Sequence, residues 1–203
     1  MKTRFMGDSA LLVETDDPAG AQALRRVLLR GSMPGLREII PGQSSLLIAA
    51  DPLRVDLDAL AARLPELMRD AAPPAAPRQH EFAVNYTGED LALAARLTGM
   101  DVEEVVRRHT APLYTVSFLG FTPGFAYLDG LDGRLKLPRR ADPRVRVPAG
   151  SVAIADGYTG IYPQATPGGW HILGRCEAAL FDAQRPSPAL LAPGDRVRFR
   201  EIP

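Results

Sequence analysis

The chain has 203 residues, with 24 Lys+Arg balanced by 24 Asp+Glu, 46% hydrophobic residues, 19 prolines and 18 glycines. That length suits one large domain or two small ones with a real core, and the apolar fraction excludes intrinsic disorder. Zero formal net charge argues against a dedicated nucleic-acid binder, whose phosphate contacts need a cationic excess.

Met1-Lys2-Thr3-Arg4 runs into Phe5-Met6-Gly7-Asp8 without the long apolar stretch or small-residue cleavage site of a secretion signal. The longest apolar runs, such as Leu46 to Ala50, are far shorter than the roughly 20 residues of a membrane span. The single cysteine, Cys176, has no partner for an internal disulfide. A soluble, cytoplasmic chain is expected.

Ser9 to Glu14 reads as a strand. Asp17 caps a helix with Pro18 in its first turn, an apolar stripe at Ala21, Leu24, Val27 and Leu28, and a stop at Gly31. Leu36 to Ile40 and Ser45 to Ala49 read as strands turned by Pro41-Gly42. A second helix starts near Asp56 and carries Leu57, Leu60, Ala61 and Leu64. Pro65 is expected to kink or split it, because proline removes a helical donor. After the Ala/Pro segment Ala71 to Pro77, alternation over His80 to Tyr86 predicts another strand. The order β-α-β-β-α-β points to a ferredoxin-like α+β domain over residues 1–86. A boundary at the Ala/Pro segment is the alternative, since Pro-rich stretches serve as linkers.

Two short helices follow. Thr87 with Asp90, and Asp101 with Glu104, have the spacing of reciprocal N-terminal caps, and Gly99 ends the first helix. Beyond Thr110, short strand-like runs (Tyr114 to Leu119, Ser151 to Ala155, His171 to Leu173, Ala178 to Phe181, Arg196 to Arg200) sit between Gly/Pro clusters. Many short strands with frequent turn signals predict a barrel or sandwich over residues 87–203.

Most motifs that carry chemistry are missing. Gly7-Asp8-Ser9-Ala10-Leu11 resembles the GDSL esterase signature, but none of His80, His109 or His171 has an Asp three residues before it to complete that chemistry. No phosphate-binding Gly-rich loop and no His-Glu-x-x-His occur, and three scattered histidines with one cysteine make a poor metal set. Residues 109–175 stand out instead. Gly120 to Leu128, Val147 to Ser151 and Ile161 to Trp170 are turns rich in glycine and proline that preset loops. Aromatics on such loops, Phe125, Tyr127, Tyr162 and Trp170, can wall a pocket or simply fill a core.

Between these turns, Arg134 to Arg146 holds six cations and one acid. Arg139, Arg140 and Arg144 are candidates for a carboxylate or phosphate site, against a solvated loop, a docking face, or a plain half-exposed strand over Arg144 to Val147. His109, after a helix, suits a general acid or base near neutral pH or a C-terminal helix cap.

These motifs resemble a known bacterial family. Phe118 to Leu131 is similar to its LGFxPGFxYLxGL block. Pro138-Arg139-Arg140, Arg144, Val147 to Val152, Thr159 to Pro163, and Pro167 to Trp170 with Gly174-Arg175 are similar to further blocks in the same order. The family comprises the B subunit of 5-oxoprolinase, allophanate hydrolase subunit 1 and the kinase inhibitor KipI. The resemblance implies an N-terminal α+β domain and a C-terminal cyclophilin-like β-barrel. It also implies the B subunit of an ATP-dependent 5-oxoprolinase, with Mg2+ and ATP at the level of the complex and the A and C subunits as partners. No metal is assigned to this chain. In that role Arg139, Arg140 or Arg144 would meet the small anionic substrate or developing phosphoryl charge. Ser151, Thr159 and Tyr162 would hydrogen-bond the ring, Phe125, Tyr127 and Trp170 would line it, and His109 would carry the proton. A kinase inhibitor or a urea- or allophanate-handling subunit is the alternative. Tyr158, where relatives commonly have Gln, Ala126 in place of a second proline, and Thr166 in place of Ser or Asn depart from the pattern.

Overall fold

The structure is a computed structural model that describes residues 1–31, 33–69 and 76–203. It divides into two compact units, Met1–Ala76 and Pro77–Pro203. The first holds β1 (Lys2–Phe5), β2 (Ala10–Glu14), α1 (Pro18–Arg30), β3 (Leu36–Pro41), β4 (Ser45–Ala50) and α2 (Leu57–Arg69). Its antiparallel sheet has the order β1-β2-β4-β3. Period-2 alternation puts Leu11 and Val13 of β2 on the same face as Leu46, Ile48 and Ala50 of β4. Against that face pack Ala21, Leu24 and Leu28 of α1 and Leu57, Leu60 and Leu64 of α2. Asp17 starts α1 as expected, accepting from the Gly20 amide at 2.7 Å, with Pro18 first in the helix. Of the expected kink or split at Pro65, the split does not occur: α2 runs through it, with Leu57, Leu60 and Leu64 anchored in the core of this unit.

The second unit holds β5 (Gln79–Asn85), α3 (Leu91–Thr98), α4 (Val102–Thr110), β6 (Tyr114–Leu119), β7 (Ala126–Asp129), a 3-10 turn (Gly133–Leu135), β8 (Arg144–Val147), β9 (Ser151–Ala155), β10 (Tyr158–Ile161), β11 (Thr166–Gly168), β12 (His171–Arg175) and β13 (Arg196–Ile202). Seven strands close a barrel in the order β10-β7-β6-β13-β5-β12-β9, and β8 with β11 forms a separate two-stranded ribbon. Ala178 to Phe181, expected as a strand, contributes only an isolated bridge between Phe181 and Ala189.

The ferredoxin-like arrangement and its boundary after Tyr86 are corrected here. The strand expected to complete the first sheet, β5, lies parallel to β13 in unbroken register from Gln79↔Arg196 to Asn85↔Ile202, and it also meets β12. It is a barrel stave, so the division falls between Ala76 and Pro77. In the first sheet its place is taken by β1, a polar strand that hairpins onto β2. The Ala/Pro loop reading falls mainly on residues 70–75, outside the described residues.

The barrel wall is apolar on both faces. Along β9, Val152 and Ile154 point into the main core while Ala153 and Ala155 point to a second cluster. That outer cluster gathers Phe125, Val147, Tyr162, Trp170 and Ile172, with Tyr127 and Tyr158 at its margin. A stave with every residue buried reads as a continuous apolar run, which is how Ser151 to Ala155 reads.

Candidate functional site

The outer cluster is where the turns of residues 109–175 converge. Gly124, at φ 80, turns the chain after Pro123; a Cβ there would sit 2.7 Å from that of Phe181. Gly168 lets the Tyr162 hydroxyl approach so closely that a Cβ would lie 2.5 Å from it, and the Trp170 amide donates to that hydroxyl. Phe125 meets Tyr127, Tyr162 and Trp170 edge-on, with centroids 5.1 to 5.3 Å apart. Phe125, Tyr162 and Trp170 are buried, so the molecule's own rings fill the hollow that the sequence offers to a ligand. The accessible part is its margin. There Tyr127 stacks on Phe118 at 4.2 Å and meets Tyr158 edge-on.

Phe121 is 60% exposed and held at φ 68, a left-handed conformation that bulky side chains rarely adopt. Its ring packs edge-on to Phe125 and Tyr162. Gln164 ties this turn to the neighbouring loop by donating to the Thr122 hydroxyl at 2.6 Å.

The arginines divide by partner. Arg139 is 61% exposed and donates to Asp156 at 2.9 Å. Arg140 and Arg144 both converge on Asp90, which is 3% exposed, at 2.6 and 2.8 Å. Asp90 also accepts from the Ile172 amide at 2.8 Å. Burial works against its charge, but the bonds from Arg144 and Ile172 and the two nearby guanidinium charges hold its carboxyl below the usual carboxylate range. Asp90 makes no cap bond to α3. It ties the loop before β8 to β12, a role that its cap-like spacing conceals.

His109 lies inside the barrel and is corrected as an accessible proton carrier. Its ring is 0% exposed, and desolvation pushes its pKa down to about 3. Nε2 lies 2.8 Å from the Thr159 hydroxyl and Nδ1 lies 2.6 Å from the Tyr86 hydroxyl. Thr159 donates to the Ala153 carbonyl at 3.1 Å, so it accepts from Nε2–H, and Tyr86 donates to Nδ1. The same arrangement corrects Thr159 as a ring-binding residue, because both of its contacts are internal. Ser151 is buried too, its carbonyl accepting from the Tyr162 amide at 2.9 Å.

Of the expected site residues, the structure gathers Phe125, Tyr127, Tyr162 and Trp170 on the outer barrel face. Arg139 is near enough to Tyr127 to act on its hydroxyl: burial raises the Tyr127 pKa and the Arg139 charge partly opposes it. Arg139 and Arg144 act likewise on Tyr162, whose pKa is also raised by burial. Both phenols are therefore neutral donors. The arginines do not fit a nucleotide as they stand, since Arg139, Arg140 and Arg144 are each engaged by a carboxylate. Among the described residues no group of three His, Cys, Asp or Glu is placed to hold a metal ion. The face offers binding surface without a self-contained nucleophile and base.

The family model for the carboxyltransferase domain, subdomain C and D, matches residues 1–191. The chain belongs to this carboxyltransferase-domain family. It is 40% identical over 204 residues to the 5-oxoprolinase B subunit of Escherichia coli O157:H7, covering 96% of this chain and 93% of that protein. Among solved structures the family fold recurs in TTHA0988, with a TM-score of 0.84 and 40% identity. The match covers 96% of this chain but only 40% of the TTHA0988 chain. Urea carboxylase of Kluyveromyces lactis, at 21% identity and a TM-score of 0.75 over 99% of this chain and 22% of that one, shares the fold. No helix among the described residues of this family member is long and apolar enough to cross a membrane.

Proposed function

We propose that this chain is the B subunit of an ATP-dependent 5-oxoprolinase, acting with A and C subunits to open 5-oxo-L-proline to L-glutamate. The observation that carries the reading is 40% identity over nearly the full length of both this chain and a protein of that name. Hydrolysis of the lactam adds hydroxyl to the carbonyl carbon and a proton to the ring nitrogen. Resonance makes that amide stable, so the coupling to ATP with Mg2+ belongs to the assembled complex, and the chain is inactive alone. The closed barrel fits the cyclophilin-like architecture that the resemblance implies.

This chain's part is to present one wall of the site. Arg139 turns from Asp156 to the substrate carboxylate, a charge-assisted contact, and Tyr127 donates its neutral hydroxyl beside it. Phe125, Tyr162 and Trp170 back that wall as a rigid support, while Arg140 and Arg144, fixed on Asp90, set the path of the loop that carries Arg139. Combining the chain with A and C subunits should give ATP-dependent glutamate release that disappears when this chain is omitted. In that assay Arg139→Ala should raise KM about tenfold with little change in assembly. Undiminished glutamate release without the chain would refute the role.

A further inference from the structure

The ribbon of β8 and β11 leaves one edge of β8 unpaired. Among the described residues the only strand that β8 pairs with is β11. Among the described residues, the main chain of Val145 and Arg146 makes no backbone bond outside that ribbon. Val145 is 91% exposed, unusual for a β-branched residue in a strand beside an apolar cluster. A two-stranded ribbon is marginal by itself, but this one is anchored. Val147 is buried in the outer cluster, and Arg144 is clamped by Asp90 at 2.8 Å and Glu89 at 3.3 Å. The edge is therefore ordered before any partner arrives, which removes much of the entropy cost of using it.

Charge selects what it can accept. Arg139, Arg140 and Arg144 are matched by acids of the same unit, but Lys136 and Arg146 form no ion pair among the described residues. Two copies of β8 laid edge to edge would bring arginine against arginine, which is unfavourable. An acidic strand meets no such penalty. Pro143 and Pro148 flank β8 and limit the added pairing to its four residues.

We infer that the free edge of β8 takes up an extended acidic segment of a partner subunit, adding a third strand to the ribbon. Main-chain bonds would supply affinity, and Arg146 would select the sign of the partner's charge. This rests on reading the chain as one subunit of a complex. The test follows amide hydrogen exchange across residues 144–147 in the free chain and after assembly with A and C subunits, with glutamate release measured on the same sample. Assembly should slow exchange in that segment about tenfold or more. Arg146→Glu, on an exposed side chain, should melt like the parent yet assemble about tenfold more weakly at low salt. Assembly and glutamate release with 144–147 exchanging as in the free chain would overturn the edge proposal and leave the subunit reading standing. So would undiminished assembly of Arg146→Glu. An unaltered chain that fails to assemble at all would overturn both.

Discussion

His109 is the residue whose chemistry burial changes most. Fully enclosed, hydrogen-bonded at both ring nitrogens and stacked 4.7 Å from Phe199, it is a neutral core group. Its folded pKa of about 3 lies below the ordinary value near 6.5. As pH falls below that ordinary value, the unfolded chain takes up a proton that the folded chain refuses. Stability present at neutral pH is therefore lost progressively between about pH 6.5 and 3. His109→Gln should lower stability overall and flatten its dependence on pH between 6 and 4 by up to about 1.4 kcal/mol per pH unit. Denaturant melts at several pH values check this, and parallel curves for the two proteins would contradict it. Sequence spacing finds the residues of the outer face, Phe125, Tyr127, Tyr162, Trp170 and Arg139, because Gly/Pro turns and charge runs are local signals. It does not distinguish Arg139 from Arg140 and Arg144, nor His109 from a surface histidine. Those differences come from Asp90 and from the barrel interior, which are distant in the chain.

Among the elements, β9 shows most directly how the site is supported. Its two faces serve different cores, so Ala153 separates the barrel interior from the ring cluster. Ala153 is fully buried in the same cluster as Phe125, Tyr162 and Trp170, so added methylenes there enter a close-packed interior. Ala153→Leu should destabilise the fold by about 1–3 kcal/mol through overpacking and disturb the near-ultraviolet signal of Trp170. A Leu accepted without loss in a thermal melt would show the outer cluster to be loose. The unbroken apolar run makes β9 legible in the sequence, as the run from Leu46 to Ala50 does for β4 and a cap with a following proline does for α1. β7, β10 and β11 escape detection because strands of three or four residues among glycines carry too little periodicity to register. β8 is legible as an alternating run, but the alternation cannot say that one of its edges stays free.

At the scale of the molecule, the deciding strand is β5. Alternation identifies it as a strand but is silent about its sheet, and its partner β13 lies at the other end of the chain. Asp195, just before β13, fastens the start of the pair: it accepts from the Arg78 amide at 3.1 Å and Arg78 Nη2 at 2.8 Å, and contacts His80 Nε2 at 3.2 Å. Burial disfavours the Asp195 charge, yet the bonds from Arg78 and Ala192 keep its carboxyl below the usual range. A fragment cut at residue 77 keeps all of these contacts, whereas one cut at residue 87 loses the whole stave together with Tyr86, the donor to His109. Opening the barrel there bares the main-chain edges of β12 and β13 and uncovers the face of Phe199 that packs on Phe82. Residues 77–203 should therefore unfold cooperatively on heating, while residues 87–203 should show no cooperative transition and should aggregate, since unpaired strand edges recruit one another. A sharp melt and dispersed amide resonances from the shorter fragment would mean that β5 is dispensable to the barrel, and the boundary after Tyr86 would then be the right one.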